Sequence, residues 1–147
     1  MCNTMKRWDT YFLNVARLTA SLSYCKKLQV GAVAVMNRRI ICTGYNGTLP
    51  GSDNCCEDII IVDGVETLKT RDTVEHAERN LISFAASSGI ALERATLYIT
   101  HSPCMQCAKA IANAGFVRVV YAEPFKADNG IELLKSLRIE TCQLEIS

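Results

Sequence analysis

The sequence lacks an excess of either charge: 16 Lys and Arg stand against 15 Asp and Glu, for a formal net charge of +1. A chain that mainly coats a polyanion carries a large basic surplus, so that class is set aside. Long hydrophobic runs are missing as well. The longest, Val30 to Met36, is seven residues, where a membrane-spanning helix needs about 20. The opening Met1-Cys2-Asn3-Thr4-Met5-Lys6-Arg7-Trp8 has no apolar stretch of the kind an export signal needs. These absences lead us to expect no membrane association and a cytoplasmic location. No internal repeat, low-complexity tract or Pro/Gly/Ser-rich linker interrupts the 147 residues, 49% of which are hydrophobic. Disorder is excluded on that composition, and one domain covering 1–147 is expected at about 150 residues per domain. A chain of this length needs no disulfide framework to fold. In a reducing compartment the eight cysteines read as metal ligands, reactive groups or buried apolar residues rather than bridges.

What is present is a mixture of two hydrophobic periods. Trp8, Phe12, Val15, Ala16, Ala20 and Ser23 recur at three- and four-residue steps, which predicts an amphipathic helix over Trp8 to Tyr24 with Arg17 on its polar side. Val30 to Val35 reads as a buried strand, Asn37-Arg38-Arg39 as a turn, and Ile40 to Tyr45 as the returning strand. Asn46 to Glu57 reads as a loop. Ile59 to Val62 and Val65 to Leu68, joined by Asp63-Gly64, suggest a small hairpin with a type I′ turn. Beyond it come a helix from His76 to Ala85 stopped at Gly89, a strand from Ala95 to Thr100, and a helix from Cys104 to Ala114 closed by Gly115. A strand at Val117 to Tyr121, a helix at Ile131 to Leu137 and a last strand at Glu140 to Ile146 complete the chain. Strands alternating with helices predict a layered α/β fold. Cys42 and Cys142 read as buried apolar residues, and Cys2 as part of the terminus.

The chemistry concentrates in His76-Ala77-Glu78 and Pro103-Cys104-Met105-Gln106-Cys107. Two cysteines with two residues between them at a helix start can aim both sulfurs at one point, and the helix N-terminus favours their thiolate form. A histidine from another helix start completes three ligands. Three protein ligands and one open position make a catalytic zinc site, whereas four make a structural one. Glu78, two residues after His76, is placed to carry protons beside the metal without ligating it. A lone Cys-x-x-Cys also reads as half of a structural zinc site or as a redox pair. His-x-Glu in order before Pro-Cys-x-x-Cys is instead the signature of zinc deaminases.

On these residues the chain resembles the cytidine deaminase superfamily, and within it the deoxycytidylate (dCMP) deaminases, especially small phage-type members. The same resemblance is carried by Lys27-Leu28-Gln29-Val30-Gly31-Ala32-Val33, Gly44-Tyr45-Asn46-Gly47-Thr48, Asn54-Cys55-Cys56 and Ile111 to Tyr121. It implies a three-layer α/β/α sandwich around a mixed five-stranded sheet. It implies zinc on His76, Cys104 and Cys107, Glu78 as proton carrier, and hydrolysis of dCMP to dUMP and ammonia, which supplies the thymidylate precursor. It places Asn46 on the sugar hydroxyl, where the residue-level alternative is a turn Asn of left-handed φ, and backbone groups near Ala77 on the pyrimidine carbonyl. The 5′-phosphate needs donors among Lys26, Lys27, Thr48, Ser21 and Ser102. Some relatives hold a second, structural zinc on cysteines in the segments of Cys25, Cys55 and Cys56. Here the histidine-bearing insertion is absent and free thiols are the alternative. His101 reads either as a pocket residue or as a surface residue at a strand end. The resemblance also implies a homo-oligomer, a hexamer in many relatives, and control by dCTP and dTTP with Mg2+ on the regulatory nucleotide. Ser87 stands where such members carry a basic residue, and Arg79 is the other source of charge. Rival readings are deamination of another cytosine nucleotide or nucleoside (dCTP, cytidine) and a zinc-retaining module without catalysis. Balanced charge counts against a nucleic-acid substrate.

Overall fold

Successive strand side chains point to opposite faces, and in this chain each face meets its own layer of helices. In the computed structural model, which describes residues 3–125 and 129–146, the elements begin with α1 (Asn3–Ala20), β1 (Gly31–Met36), β2 (Arg39–Tyr45), β3 (Glu57–Val62) and β4 (Val65–Thr70). They continue with α2 (Ala77–Ser88), β5 (Thr96–His101), α3 (Met105–Ala114), β6 (Arg118–Glu123), α4 (Asn129–Ser136) and β7 (Glu140–Gln143). Cys2 lies outside the described residues.

The main sheet has the order β2-β1-β5-β6-β7. β1 pairs antiparallel with β2 and β5, while β6 runs parallel to β5 and to β7. The sheet is therefore mixed and five-stranded. Ala32, Ala34, Leu97, Ile99 and Val119 face Leu81 of α2, Ile111 of α3 and Leu134 of α4. The alternate residues Val33, Val35, Tyr98 and Val120 face Phe12, Leu13 and Ala16 of α1. This is the three-layer α/β/α arrangement. β3 and β4 form a separate two-stranded sheet whose Ile59, Ile61 and Val65 are exposed.

Several boundaries move, for identifiable reasons. α1 starts earlier than Trp8 and stops at Ala20 rather than Tyr24. Beyond it Ser23 turns inward and donates its hydroxyl to the Asn46 carbonyl (2.7 Å). The β1–β2 turn uses two residues, Asn37 (φ 51°) and Arg38 (φ 59°), and Arg39 already pairs with Met36 in the ladder. Asp63 (φ 50°) and Gly64 (φ 76°) make the expected type I′ turn. β7 ends at Gln143, although the Leu144 N–H still donates to the Tyr121 carbonyl (2.9 Å). Cys42 is buried as expected, while Cys142 is only half-buried.

A buried ion pair fixes α1 to the sheet. Arg118 donates to both oxygens of Asp9 (2.7 and 2.8 Å), and the Tyr98 hydroxyl donates to Asp9 Oδ1 (2.6 Å). Burial alone raises the Asp9 pKa; the bonds from Arg118 and Tyr98 outweigh it and hold the carboxyl below the usual range. Among the described residues no helix is long and apolar enough to cross a membrane.

Candidate active site

Where β5 and β6 end, at His101 and Glu123, the antiparallel β1 begins and β2 finishes. Ligands in α/β sheets bind at the carboxyl ends of the parallel strands. A cavity of about 470 Å³ opens there. Its wall includes His76, Ala77, Glu78, Cys104, Asn46 and Ser102.

Two helix starts aim at this cavity. His76 caps the N-terminus of α2 and Cys104 that of α3, and neither side chain bonds to its own helix as caps normally do. Their heteroatoms meet each other instead. His76 Nδ1 lies 3.3 Å from Cys107 Sγ and 3.6 Å from Cys104 Sγ. The three donor atoms all fall within 4.8 Å of one another. One imidazole and two sulfurs are the ligand types that suit zinc, so the residues present fit the metal. Bonds from Cys107 and His76 hold the Cys104 thiol down to about 3. The same bond from the other side, together with burial, pushes the Cys107 thiol up. Zinc binds both sulfurs as thiolates, so metal binding would release their remaining protons.

Glu78 is 4% exposed, in the first turn of α2. Burial pushes its carboxyl up to about 7, against the lowering pull of a bond from Cys107 and the charge of His76. A carboxyl poised near neutrality takes up and gives back protons readily. Two glycines let the elements close on this point. A Cβ on Gly44 would sit 2.6 Å from the Ala77 carbonyl oxygen, and one on Gly130 would collide with the carbonyls of Pro103 and Cys104. β2 and α4 thereby clamp the two helix starts that carry the candidate ligands.

The remaining expected residues divide. Asn46 is not left-handed. Its Oδ1 accepts from the Val30 N–H (2.9 Å) and its Nδ2 donates to the Leu28 carbonyl (2.8 Å), so it locks the entrance to β1 while lining the cavity. Ser102 also lines it and accepts from the Phe125 N–H (2.7 Å). Thr48 is half-buried beyond the Gly47–Glu75 bridge and is not on the cavity wall. Lys27 reaches the wall and Lys26 does not, and His101 reaches it too. Sequence reasoning missed Glu57, Val74 and Phe125, which reach the cavity through long-range packing.

The set Cys25, Cys55 and Cys56, read either as a second zinc site or as free thiols, is not brought together as three thiols. Cys25 and Cys56 are joined as a disulfide, which corrects the expectation that none of the cysteines forms a bridge. Cys55 is exposed and its Sγ points at the Glu57 carbonyl (3.3 Å). The third group near the pair is the Glu57 carboxylate, which accepts the backbone N–H of Lys26 (2.7 Å) and Lys27 (3.1 Å).

Residues 6–123 match the cytidine and deoxycytidylate deaminase zinc-binding region. The chain is 40% identical over 121 residues to a deoxycytidylate deaminase of Mycobacterium phage D29, covering 78% of this chain and 93% of that one. It is 37% identical over 119 residues to ComE operon protein 2 of Bacillus subtilis, covering 81% of this chain but only 61% of that longer protein. The dCMP deaminase of cyanophage S-TIM5, solved with dCMP and dUMP, superposes with a TM-score of 0.83 at 34% identity, over 98% of this chain and 99% of that one. With the histidine, the paired cysteines and the buried glutamate converging on one cavity, the chain belongs to the cytidine and deoxycytidylate deaminase zinc-binding family.

Proposed function

We propose that this protein hydrolyses dCMP to dUMP and ammonia. The observation that carries the reading is a buried carboxyl, Glu78, beside a His-Cys-Cys donor set at the wall of a nucleotide-sized cavity. His76, Cys104 and Cys107 would hold zinc, which supplies a Lewis-acidic centre able to bring the pKa of water to about 7. Glu78 takes the proton of the attacking water and passes it to cytosine N3 as the C4–O bond forms. It then takes the second proton, from the new C4 hydroxyl, and delivers it to the amino group as the C4–N bond breaks, leaving the C4 carbonyl of dUMP. Water and dCMP are consumed, and dUMP and ammonia are released. Ala77, fully buried at the first position of α2, offers backbone to the pyrimidine carbonyl. Asn46 keeps one unused amide hydrogen and one lone pair for the sugar hydroxyl, and Lys27 and Ser102 are the wall donors for the 5′-phosphate.

The exposed apolar residues of the β3–β4 hairpin favour a homo-oligomer. Control by dCTP and dTTP with Mg2+ draws less support from α2. Ser87 is exposed and bonded to the Phe84 carbonyl, and Arg79 already faces Glu75 (3.4 Å). A second zinc would require Cys25 and Cys56 to be reduced first.

The test is ammonia release from dCMP, dCTP, dCDP, deoxycytidine and CMP in parallel, with zinc counted on the same sample. Turnover of dCMP with about one zinc per chain is the expected result. Preference for dCTP would move the substrate, and zinc without turnover would overturn the reading. Glu78→Gln should keep the metal and lose about 10³-fold or more in kcat.

A further inference from the structure

At the far end of β1 from Glu78, a second cavity of about 480 Å³ is lined by Arg7, Arg38 and Arg39 against the rings of Trp8 and Tyr11. The strand Gly31–Met36 separates the two cavities by roughly 17 Å at about 3.3 Å per residue. Among the described residues no acidic side chain lines this second cavity. Among the described residues none of these three guanidiniums pairs with a carboxylate, whereas Arg79 meets one and Arg71 and Arg118 each meet two. The adjoining 240 Å³ cavity adds Arg94, and its one carboxylate, Asp9, is already committed to Arg118. Like charges gathered without a counter-charge repel one another, and a bound anion removes that cost.

The backbone supplies an independent sign. Arg38 sits at φ 59° in a two-residue turn where Gly or Asn is at ease and arginine is not. Its guanidinium is held 5.2 Å over the Trp8 ring. Strained backbone positions cluster at binding and catalytic sites. Guanidinium forks match phosphate oxygens two at a time, and the volume falls within the range of about 300–1,000 Å³ for small-ligand cavities. We propose that this cavity binds a polyphosphate anion of nucleotide size, at a site separate from the catalytic cavity. A net charge of +1 favours such a small anion over a nucleic-acid strand.

The test is calorimetric titration of the zinc-loaded full chain with inorganic tripolyphosphate and, separately, ATP, with zinc content checked before and after. We expect one saturable site per chain that weakens as salt rises and persists in saturating dCMP. Arg7→Ala combined with Arg39→Ala should lower affinity about tenfold or more. Arg38→Gly should also weaken binding while the melting temperature holds or rises, because the left-handed turn is relieved; that split separates lost contacts from lost folding. Absence of saturable binding, displacement by dCMP, or unchanged affinity in the Arg7→Ala/Arg39→Ala variant would overturn the proposal. Tighter binding of a single-stranded oligonucleotide than of ATP would reassign the surface to nucleic acid and overturn it equally.

Discussion

Among the described residues two clusters bring three metal-capable groups within 4.8 Å: His76, Cys104 and Cys107, and Cys25, Cys56 and Glu57. In the first, each group stands at or near a helix start, and the capping side chains are left free of their own helices. In the second, the sulfurs are bonded to each other and the carboxylate is occupied by two backbone N–H groups. Proximity alone therefore does not make a metal centre. The donors must also have no better partner than the ion, on elements rigid enough to hold them apart.

The widest gap between the clusters should appear on removing one sulfur from each. Cys107→Ala should lose zinc and at least about 10³-fold in turnover, while Cys56→Ala should keep both; zinc analysis beside an ammonia assay reads the contrast. Thiol titration of the denatured, unreduced protein should find two fewer thiols than the eight cysteines. A full count would leave the second cluster open to metal.

Next in size is a cluster that is paired without any metal. Asp9→Asn leaves buried Arg118 facing a neutral amide and should cost about 3–5 kcal/mol in urea unfolding. Because the native Asp9 pKa is lowered, its stabilisation is fully present above the unfolded value of about 3.9. It is lost as pH falls through the lower native value. The variant should lack that part of the acid-side slope in stability against pH.

A smaller effect tests the clamp on the first cluster. Gly130→Ala should cost about 1–3 kcal/mol by overpacking against Pro103 and Cys104 and should speed zinc loss to a chelator. The smallest concerns the second cluster. Glu57→Gln keeps the shape but weakens the charge-assisted bonds to Lys26 and Lys27, costing about 1 kcal/mol. If the Lys27 segment positions phosphate, KM for dCMP should rise more than kcat falls; an equal fall in kcat would place Glu57 closer to the chemistry.

The candidate pairs His76–Glu78 and Cys104–Cys107 stood out in the sequence because each spacing acts within a single helical turn, whereas the separation of 28 residues from His76 to Cys104 carries no such signal. Gly89 and Gly115 were legible as helix stops, and both take left-handed φ (69° and 90°). Asn46 was read either for the sugar or as a left-handed turn residue, yet its side chain bridges Leu28 and Val30, a contact between segments that local spacing does not encode. Thr48 looked as eligible as Lys27, and only the path of the loop separated them. Gly130 gave no signal, since what excludes a Cβ there is the Pro103-Cys104 backbone, distant in sequence.

The sequence by itself determined the alternating strands and the helix starts that bear His76 and Cys104, because these depend on neighbours within a turn or a pleat. Only the tertiary structure decided that the two helix starts converge, that Cys25 meets Cys56 instead of Cys55, and that three arginines share one cavity. Those outcomes depend on sheet order and register, which bring together segments whose own spacing carries no record of the partner they meet.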